Sequence, residues 1–231
     1  MKDSLNITQR RKTNIWVVMK TNILLATCLI AGFSTTTYAL QLKEEKRLIL
    51  IDPGHGGLDS GTISKEGLKE KEVVLDIAKS IIAWNKSMLD SKFEIYITRN
   101  KDTLISLKDR TKLSRHLKPA VFISLHCNHI ENPSIKGLEI YTYKRDPQSL
   151  ILADKILLNL HENLGFKIRP PKHANFHVLS ETSIYCPALL LELGYLSNAN
   201  ESNYLIDKAN KRALALAILM ALDEVLNSTI D

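Results

Sequence analysis

Two continuous apolar stretches constrain the fold of this chain more than any other feature. Residues 120–125 (AVFISL) and 187–191 (PALLL) carry apolar side chains at every position except Ser124. Strands that are apolar along both faces are typical of parallel sheets covered by helices on each side. A third run, residues 47–51 (RLILI), is apolar after its first residue and ends at an Asp-Pro-Gly turn. It predicts another buried strand.

Segments with helical periodicity alternate with these strands. From residue 70 to 85, apolar side chains recur three or four positions apart, which indicates one face of a helix. The same criteria predict helices at 107–117, 150–164 and 208–226, and strands at 93–98, 137–143, 176–179 and 188–193. We therefore expect an α/β fold, with a three-layer, mostly parallel twisted sheet of about six strands and helices on both faces.

The net charge of +6 does not indicate a nucleic-acid-binding protein. Residues 1–39 hold five basic residues and one acidic residue, Asp3, and so account for most of the excess. The remaining sequence contains no basic run interleaved with aromatic residues, which is the pattern that nucleic-acid binding needs. We expect no nucleic-acid partner.

The first 39 residues are interpreted as a signal-peptide region. Residues 23–33 (ILLATCLIAGF) form an apolar stretch too short to span a bilayer, and a small-residue cleavage pattern follows at residues 37–39 (TYA). Met19 lies just before this apolar stretch and is a candidate for the true start. We expect an exported protein, acting in the periplasm or cell wall without a stable membrane anchor, whose residues 40–231 form a single catalytic domain. An uncleaved anchor is the alternative.

Three polar residues stand where predicted strands end. His55 and His126 each follow an apolar run, and Glu192 interrupts the end of a third. Ligands of open α/β sheets bind outside the carboxyl ends of the strands, so parallel neighbours would bring the three side chains together. Two histidines and a carboxylate with an open coordination position suit a catalytic zinc ion.

Glu192 is the most informative of these residues because apolar side chains surround it in the sequence. A buried carboxylate is costly unless it is paired with a cation or has a raised pKa. A salt bridge to Arg99 or Arg110 is the structural alternative. Among the other histidines, His177 is singled out because it lies in a predicted strand near the site.

The same strand directions separate the two cysteines of the predicted mature chain. Cys127 lies at the outlet of one strand and Cys186 at the inlet of another, roughly 15–20 Å apart, too far for a disulfide. Both are predicted to be free thiols.

Four sequence blocks resemble the zinc-dependent N-acetylmuramoyl-L-alanine amidases of the family-3 type. They are residues 51–57 (IDPGHGG), 67–71 (GLKEK), 124–128 (SLHCN) and 191–198 (LELGYLSN). Residues 98–110 and 174–179 (ANFHVL) are also similar to that family. The resemblance extends from about Leu48 to the C-terminal helix. It implies cleavage of the amide bond between N-acetylmuramic acid and L-alanine in peptidoglycan.

The resemblance also implies roles for individual residues. His55, Glu70 and His126 would hold the zinc ion, and Glu192 would be the catalytic carboxylate. Spacing alone does not favour Glu70 over Glu66 or Glu72; the family pattern makes that choice. Candidate supporting or substrate-binding residues, with structural salt bridging an equally good interpretation for the arginines, are Asn128, Arg99, Arg110 and His177.

Some positions depart from the family pattern, including Cys127 and Ser180, but none is a proposed zinc ligand. Larger relatives insert a helix after the block that contains His126, and that helix plugs the zinc site until an activator removes it. The short interval between His126 and Gly137 leaves no room for such a plug. We therefore expect a protein that acts on peptidoglycan without an obligatory activator. We also expect a monomer.

Two other functions fit some of the same residues. A zinc peptidase or deacetylase of the same polymer would use similar chemistry, and a non-catalytic wall-binding module would keep the fold alone. The presence of all four proposed site residues favours the amidase.

Overall fold

The computed structural model describes residues 46–144 and 146–228. The predicted signal-peptide region and the candidate start at Met19 lie outside these residues. Within the described ranges, no helix is both long enough and apolar enough to cross a membrane.

A six-stranded sheet forms the centre of the described chain. Its spatial order is β2-β1-β3-β6-β4-β5. The strands are β1 (Leu48–Pro53), β2 (Glu94–Ile97), β3 (Val121–Asn128), β4 (Glu139–Thr142), β5 (Lys172–His173) and β6 (Ala188–Tyr195). β4 runs antiparallel to β6, and every other neighbouring pair is parallel. The predicted mostly parallel sheet is confirmed.

Six helices accompany the sheet in the described residues. They are α1 (Glu70–Met88), α2 (Leu107–Leu117), α3 (Pro147–Leu164), α4 (His177–Thr182), α5 (Ala199–Ile206) and α6 (Lys208–Ser228). The side chains of Ser106, Asp146 and Asn198 accept hydrogen bonds from backbone N–H groups of the first turns of α2, α3 and α5. Such caps satisfy backbone donors that have no partner inside a helix.

Alternation along β1 divides the core between the two faces of the sheet. Ile49 and Ile51 point to the face covered by α1, α3 and α6, which holds the larger apolar cluster. Leu50 points to the opposite face, where it packs with Phe122 of β3 and with side chains of α2 and α4. Val178 and Leu190 of this second cluster also line a cleft.

The predicted strand at residues 176–179 is wrong, because His177 begins the short helix α4. Its buried residues are Val178, Leu179 and Thr182, a helical spacing that a four-residue window does not reveal. The sequence analysis also missed α5 and the two-residue strand β5. Both cysteines of the described chain are buried and free, as predicted.

Replacing Ile123 in the central strand tests this account of the core. Ile123 is fully buried, so Ile123→Ala should lower the free energy of unfolding by about 2–5 kcal/mol, measured by urea titration. The control is Ile184→Ala, at a side chain that is 69% exposed, which should change stability by no more than about 0.5 kcal/mol. Equal losses in the two variants would contradict the assignment of Ile123 to the core.

Candidate metal centre and catalytic cleft

The register of the sheet places two candidate residues side by side. His126 of β3 is the direct partner of Glu192 on parallel strand β6. His55 follows β1, the other neighbour of β3, and its ring centroid lies 4.9 Å from that of His126. The predicted convergence of His55, His126 and Glu192 at the carboxyl edge is therefore present in the structure.

Glu70 joins this group from the first residue of α1. Its Oε1 lies 3.0 Å from His55 Nε2 and 2.9 Å from His126 Nδ1. The backbone N–H groups of Thr62 and Cys127 donate to its two oxygens, each at 2.9 Å. The carboxylate is thus held from the loop before α1 and from β3.

The surroundings of Glu70 favour its charged form. Burial desolvates the carboxylate and by itself raises the pKa, but hydrogen bonds with His126 and His55 outweigh this effect. The pKa of Glu70 is therefore held well below its usual range. A position at the start of a helix favours a negative charge in the same way.

These three side chains have the chemistry of a metal site. One donor atom from each of His55, Glu70 and His126 lies within 4.8 Å of the others. Two imidazole nitrogens and one carboxylate oxygen match a common donor set of catalytic zinc. Two of these three side chains, His55 and His126, border the cleft described below.

His55 is oriented by a residue that the sequence analysis did not single out. Its Nδ1 lies 2.8 Å from Asp59 Oδ2, while the Gly61 N–H donates to Asp59 Oδ1 at 3.0 Å. Metal-binding histidines usually donate their second ring nitrogen to such a carboxylate, which fixes the ring. Because Asp59 lies only four residues after His55, this rule about metal-binding histidines could have identified it from the sequence.

Glycines allow the ligands to approach the backbone. A Cβ on Gly54 would meet the His126 ring, including Nε2 at 2.6 Å. A Cβ on Gly61 would collide with Glu70 Oε2 and lie 2.7 Å from His55 Cδ2. His55 itself has a φ of 59°, a left-handed conformation that is uncommon outside glycine.

Glu192 is partly buried beside the donor cluster, and its Oε2 atom is fully buried. Its Oε2 has no hydrogen-bond partner in the part of the chain that the structure describes. Desolvation raises the pKa of Glu192 to about 7; His126 opposes the increase, and Glu70 and Glu139 add to it. The salt bridge considered for Glu192 is not formed, because Arg110 pairs with Asp52 and Arg99 binds backbone carbonyls.

The two arginines hold the backbone that carries the ligands. Arg99 donates to the carbonyls of Pro53 (3.0 Å), Gly54 (2.7 Å) and Lys71 (2.8 Å), so it joins the segment before His55 to the start of α1. Arg110 donates to the carbonyls of Pro53 at 2.9 Å and His55 at 2.7 Å. Both guanidinium groups are buried and committed to these contacts.

A cleft with a volume of about 460 Å³ opens beside the cluster. One wall is the segment 104–107, and the other includes Phe176 and His177 at the start of α4. His177 therefore borders the cleft, although it lies on a helix. Asn128 is not among the described residues that line it, and its side-chain oxygen accepts from the His129 N–H at 2.8 Å.

Two glycine substitutions test whether this geometry sets metal affinity. Gly61→Ala should weaken divalent-metal binding by about tenfold or more, because the new methyl group displaces Glu70 and His55. Gly67→Ala is the matched control, since Gly67 also has a positive φ but no atom lies within 4 Å of the new Cβ. Competition with a fluorescent chelator measures both affinities, and equal losses would contradict the prediction.

Comparison with known proteins shows which family this sequence matches. The family model described as N-acetylmuramoyl-L-alanine amidase (Amidase_3) matches residues 49–224. N-acetylmuramoyl-L-alanine amidase LytC of Bacillus subtilis is 36% identical over 188 residues, covering 80% of this chain and 37% of LytC. The chain spans between 37% and 67% of the length of such curated relatives.

Solved structures show the same fold. An N-acetylmuramoyl-L-alanine amidase from Clostridium difficile 630 matches with a TM-score of 0.74 and 31% identity, covering 79% of this chain and 98% of the other. The catalytic domain of CwlV from Bacillus (Paenibacillus) polymyxa var. colistinus matches with a TM-score of 0.71 and 34% identity, covering 78% and 98%. The chain belongs to the N-acetylmuramoyl-L-alanine amidase family.

Proposed function

We propose that this protein is a zinc-dependent hydrolase of peptidoglycan, and that it cleaves the amide bond between N-acetylmuramic acid and L-alanine. The observation that carries the proposal is the cluster of His55, Glu70 and His126, whose donor atoms lie within 4.8 Å of one another. Glu192 lies beside this cluster because it is the direct partner of His126 on the neighbouring strand β6. Family membership supports the choice of bond.

Zinc fits the donor set better than magnesium or calcium. Imidazole nitrogens suit zinc, whereas magnesium and calcium favour ligand sets made of oxygen atoms. When bound by His55, Glu70 and His126, a zinc ion supplies Lewis acidity to the scissile carbonyl oxygen and to a water molecule.

Glu192 carries the proton in the proposed reaction. Glu192 borders the cleft, and its buried Oε2 has no hydrogen-bond partner among the described residues, so this oxygen has a free lone pair for a proton. It accepts a proton from the water whose oxygen attacks the amide carbon. It then gives this proton to the L-alanine nitrogen as the carbon–nitrogen bond breaks.

The remaining residues fix the geometry of these groups. Asp59 orients the His55 ring, while Arg99 and Arg110 hold the backbone on either side of the cluster. The apolar side chains of Leu104, Leu107 and Phe176 line the same cleft as Glu192 and present an apolar surface to substrate.

The proposal includes where and how the enzyme acts. It would be exported and would act in the periplasm or cell wall on peptidoglycan, as a monomer and without an obligatory activator. In the described chain, β3 ends at Asn128 and β4 begins at Glu139, and the residues between them form no helix. A cleft without a covering helix supports activity of the isolated protein.

Glu192→Gln tests the proton-transfer role. Turnover on purified sacculi should fall by about 10²–10⁴-fold, because Gln cannot accept the proton, while the bound zinc is unchanged. Glu162→Gln, at an exposed position of α3, should leave both unchanged. Mass spectrometry of the fragments and elemental analysis give the two readouts. Near wild-type turnover in Glu192→Gln would refute this role.

Removal and return of the metal test the zinc site. A chelator should abolish cleavage, and added zinc should restore it in the wild type and in His116→Ala, whose side chain is exposed. His126→Ala should stay inactive at the same zinc concentration because one ligand is lost.

The reaction products separate the competing functions. The amidase exposes the amino group of L-alanine, a peptidase cuts within the stem peptide, and a deacetylase releases acetate. Either of the last two patterns would contradict the proposed bond. A wild-type protein that binds sacculi but cleaves nothing would be a wall-binding module.

A further inference from the structure

The neighbouring side chains of His126 and Glu192 at the edge of the sheet are followed by a third polar side chain on the next strand. Glu139 of β4 is the direct antiparallel partner of Glu192 on β6. Side chains of directly opposed residues lie on the same face, with Cβ atoms roughly 4.5–5.5 Å apart. His126, Glu192 and Glu139 therefore lie in order across three neighbouring strands. Glu139 is 3% exposed, and nothing in the proposed reaction uses it.

Two tyrosine hydroxyl groups and two cationic side chains converge on the Glu139 carboxylate. The hydroxyl groups of Tyr141 and Tyr195 donate to it at 2.6 and 2.9 Å. Lys172 Nζ lies 2.9 Å and Arg169 Nη1 lies 3.2 Å from its Oε1. These contacts keep the pKa of Glu139 below its usual range, although desolvation by burial acts in the opposite direction.

Glu192 contrasts with its neighbour. Buried polar atoms are almost always hydrogen-bonded, yet the described chain offers no partner to Glu192 Oε2. Desolvation and Glu139 raise the pKa of each tyrosine hydroxyl most strongly, and the nearby charge of Glu192 adds to the increase. Both hydroxyl groups nevertheless donate to Glu139, one strand away from the proposed catalytic carboxylate.

We propose that Glu139 is a positioning residue that engages these donors and so keeps Glu192 free. Without its negative charge, Lys172 and Arg169 would lose the carboxylate that they contact, and Glu192 is the neighbouring carboxylate on the adjacent strand. An ammonium or guanidinium group there would occupy the lone pairs that must take the proton and would pull the carboxylate away from the cleft. This inference rests on the proposed function, because it assigns Glu139 a role through Glu192.

Two substitutions at Glu139 separate charge from packing. Glu139→Gln keeps the size of the side chain but removes the charge, so kcat on sacculi should fall at least tenfold with KM and zinc content unchanged. Glu139→Asp keeps the charge on a shorter side chain, so kcat should stay within about threefold of the wild type. If Glu139 acted only through packing, Glu139→Gln would keep a higher kcat than Glu139→Asp. A folded, zinc-loaded Glu139→Asp protein with a tenfold lower kcat would overturn the proposal.

Removing the Lys172 cation should restore part of the kcat that the Glu139→Gln variant loses. Adding Lys172→Met to Glu139→Gln should raise kcat at least fivefold above that of Glu139→Gln alone, because one competitor for Glu192 is gone. Thermal melting and zinc analysis of each variant accompany the kinetics.

Three results would refute the positioning role: wild-type kcat in Glu139→Gln, a loss confined to KM, or a double variant no faster than Glu139→Gln. A loss confined to KM would assign the cluster to substrate binding. The wild type in the same assay distinguishes the two proposals. An inactive zinc-loaded wild type refutes the proposed function. An active wild type together with a Glu139→Gln variant whose kcat is unchanged refutes only this inference.

Discussion

The contact of one carboxylate with two imidazoles organises this protein. Glu70 Oε1 lies within 3.0 Å of nitrogen atoms of both His55 and His126. These three residues come from a helix start, a loop and a strand end, so the contact fixes the relation of three chain segments. Burial of the carboxylate is tolerated because backbone N–H groups and both rings satisfy it. Displacing any one of these segments would separate the candidate metal donors.

The arginines supply the rigidity that this contact needs. Pro53 and Gly54, just before His55, are buried, and Arg99 and Arg110 bind the carbonyl groups of residues 53–55 in place of water. Charge-assisted hydrogen bonds of this kind are stronger than those between neutral groups. Arg110 also donates to the Ile105 carbonyl, so the ligand loop and one wall of the cleft share a single anchor.

Much of the fold was predictable because apolar runs and helical periodicity report burial directly. The convergence of His55, His126 and Glu192 followed from strand direction alone. Glu70 was different: three glutamates occupy nearby positions, and only the resemblance to a family identified the one that faces the histidines. Asp59 was missed because its role depends on the turn of a glycine-rich loop. The strand predicted at His177 failed because four residues do not distinguish the two periodicities.

The central claim is that zinc is held by these three side chains. The most direct measurement is anomalous X-ray diffraction at the zinc edge from crystals of the zinc-loaded mature protein. The account predicts one strong peak bordered by His55 Nε2, Glu70 Oε1 and His126 Nδ1, within reach of the Glu192 carboxylate. A fully loaded protein with no peak there, or with its peak at other residues, would contradict it.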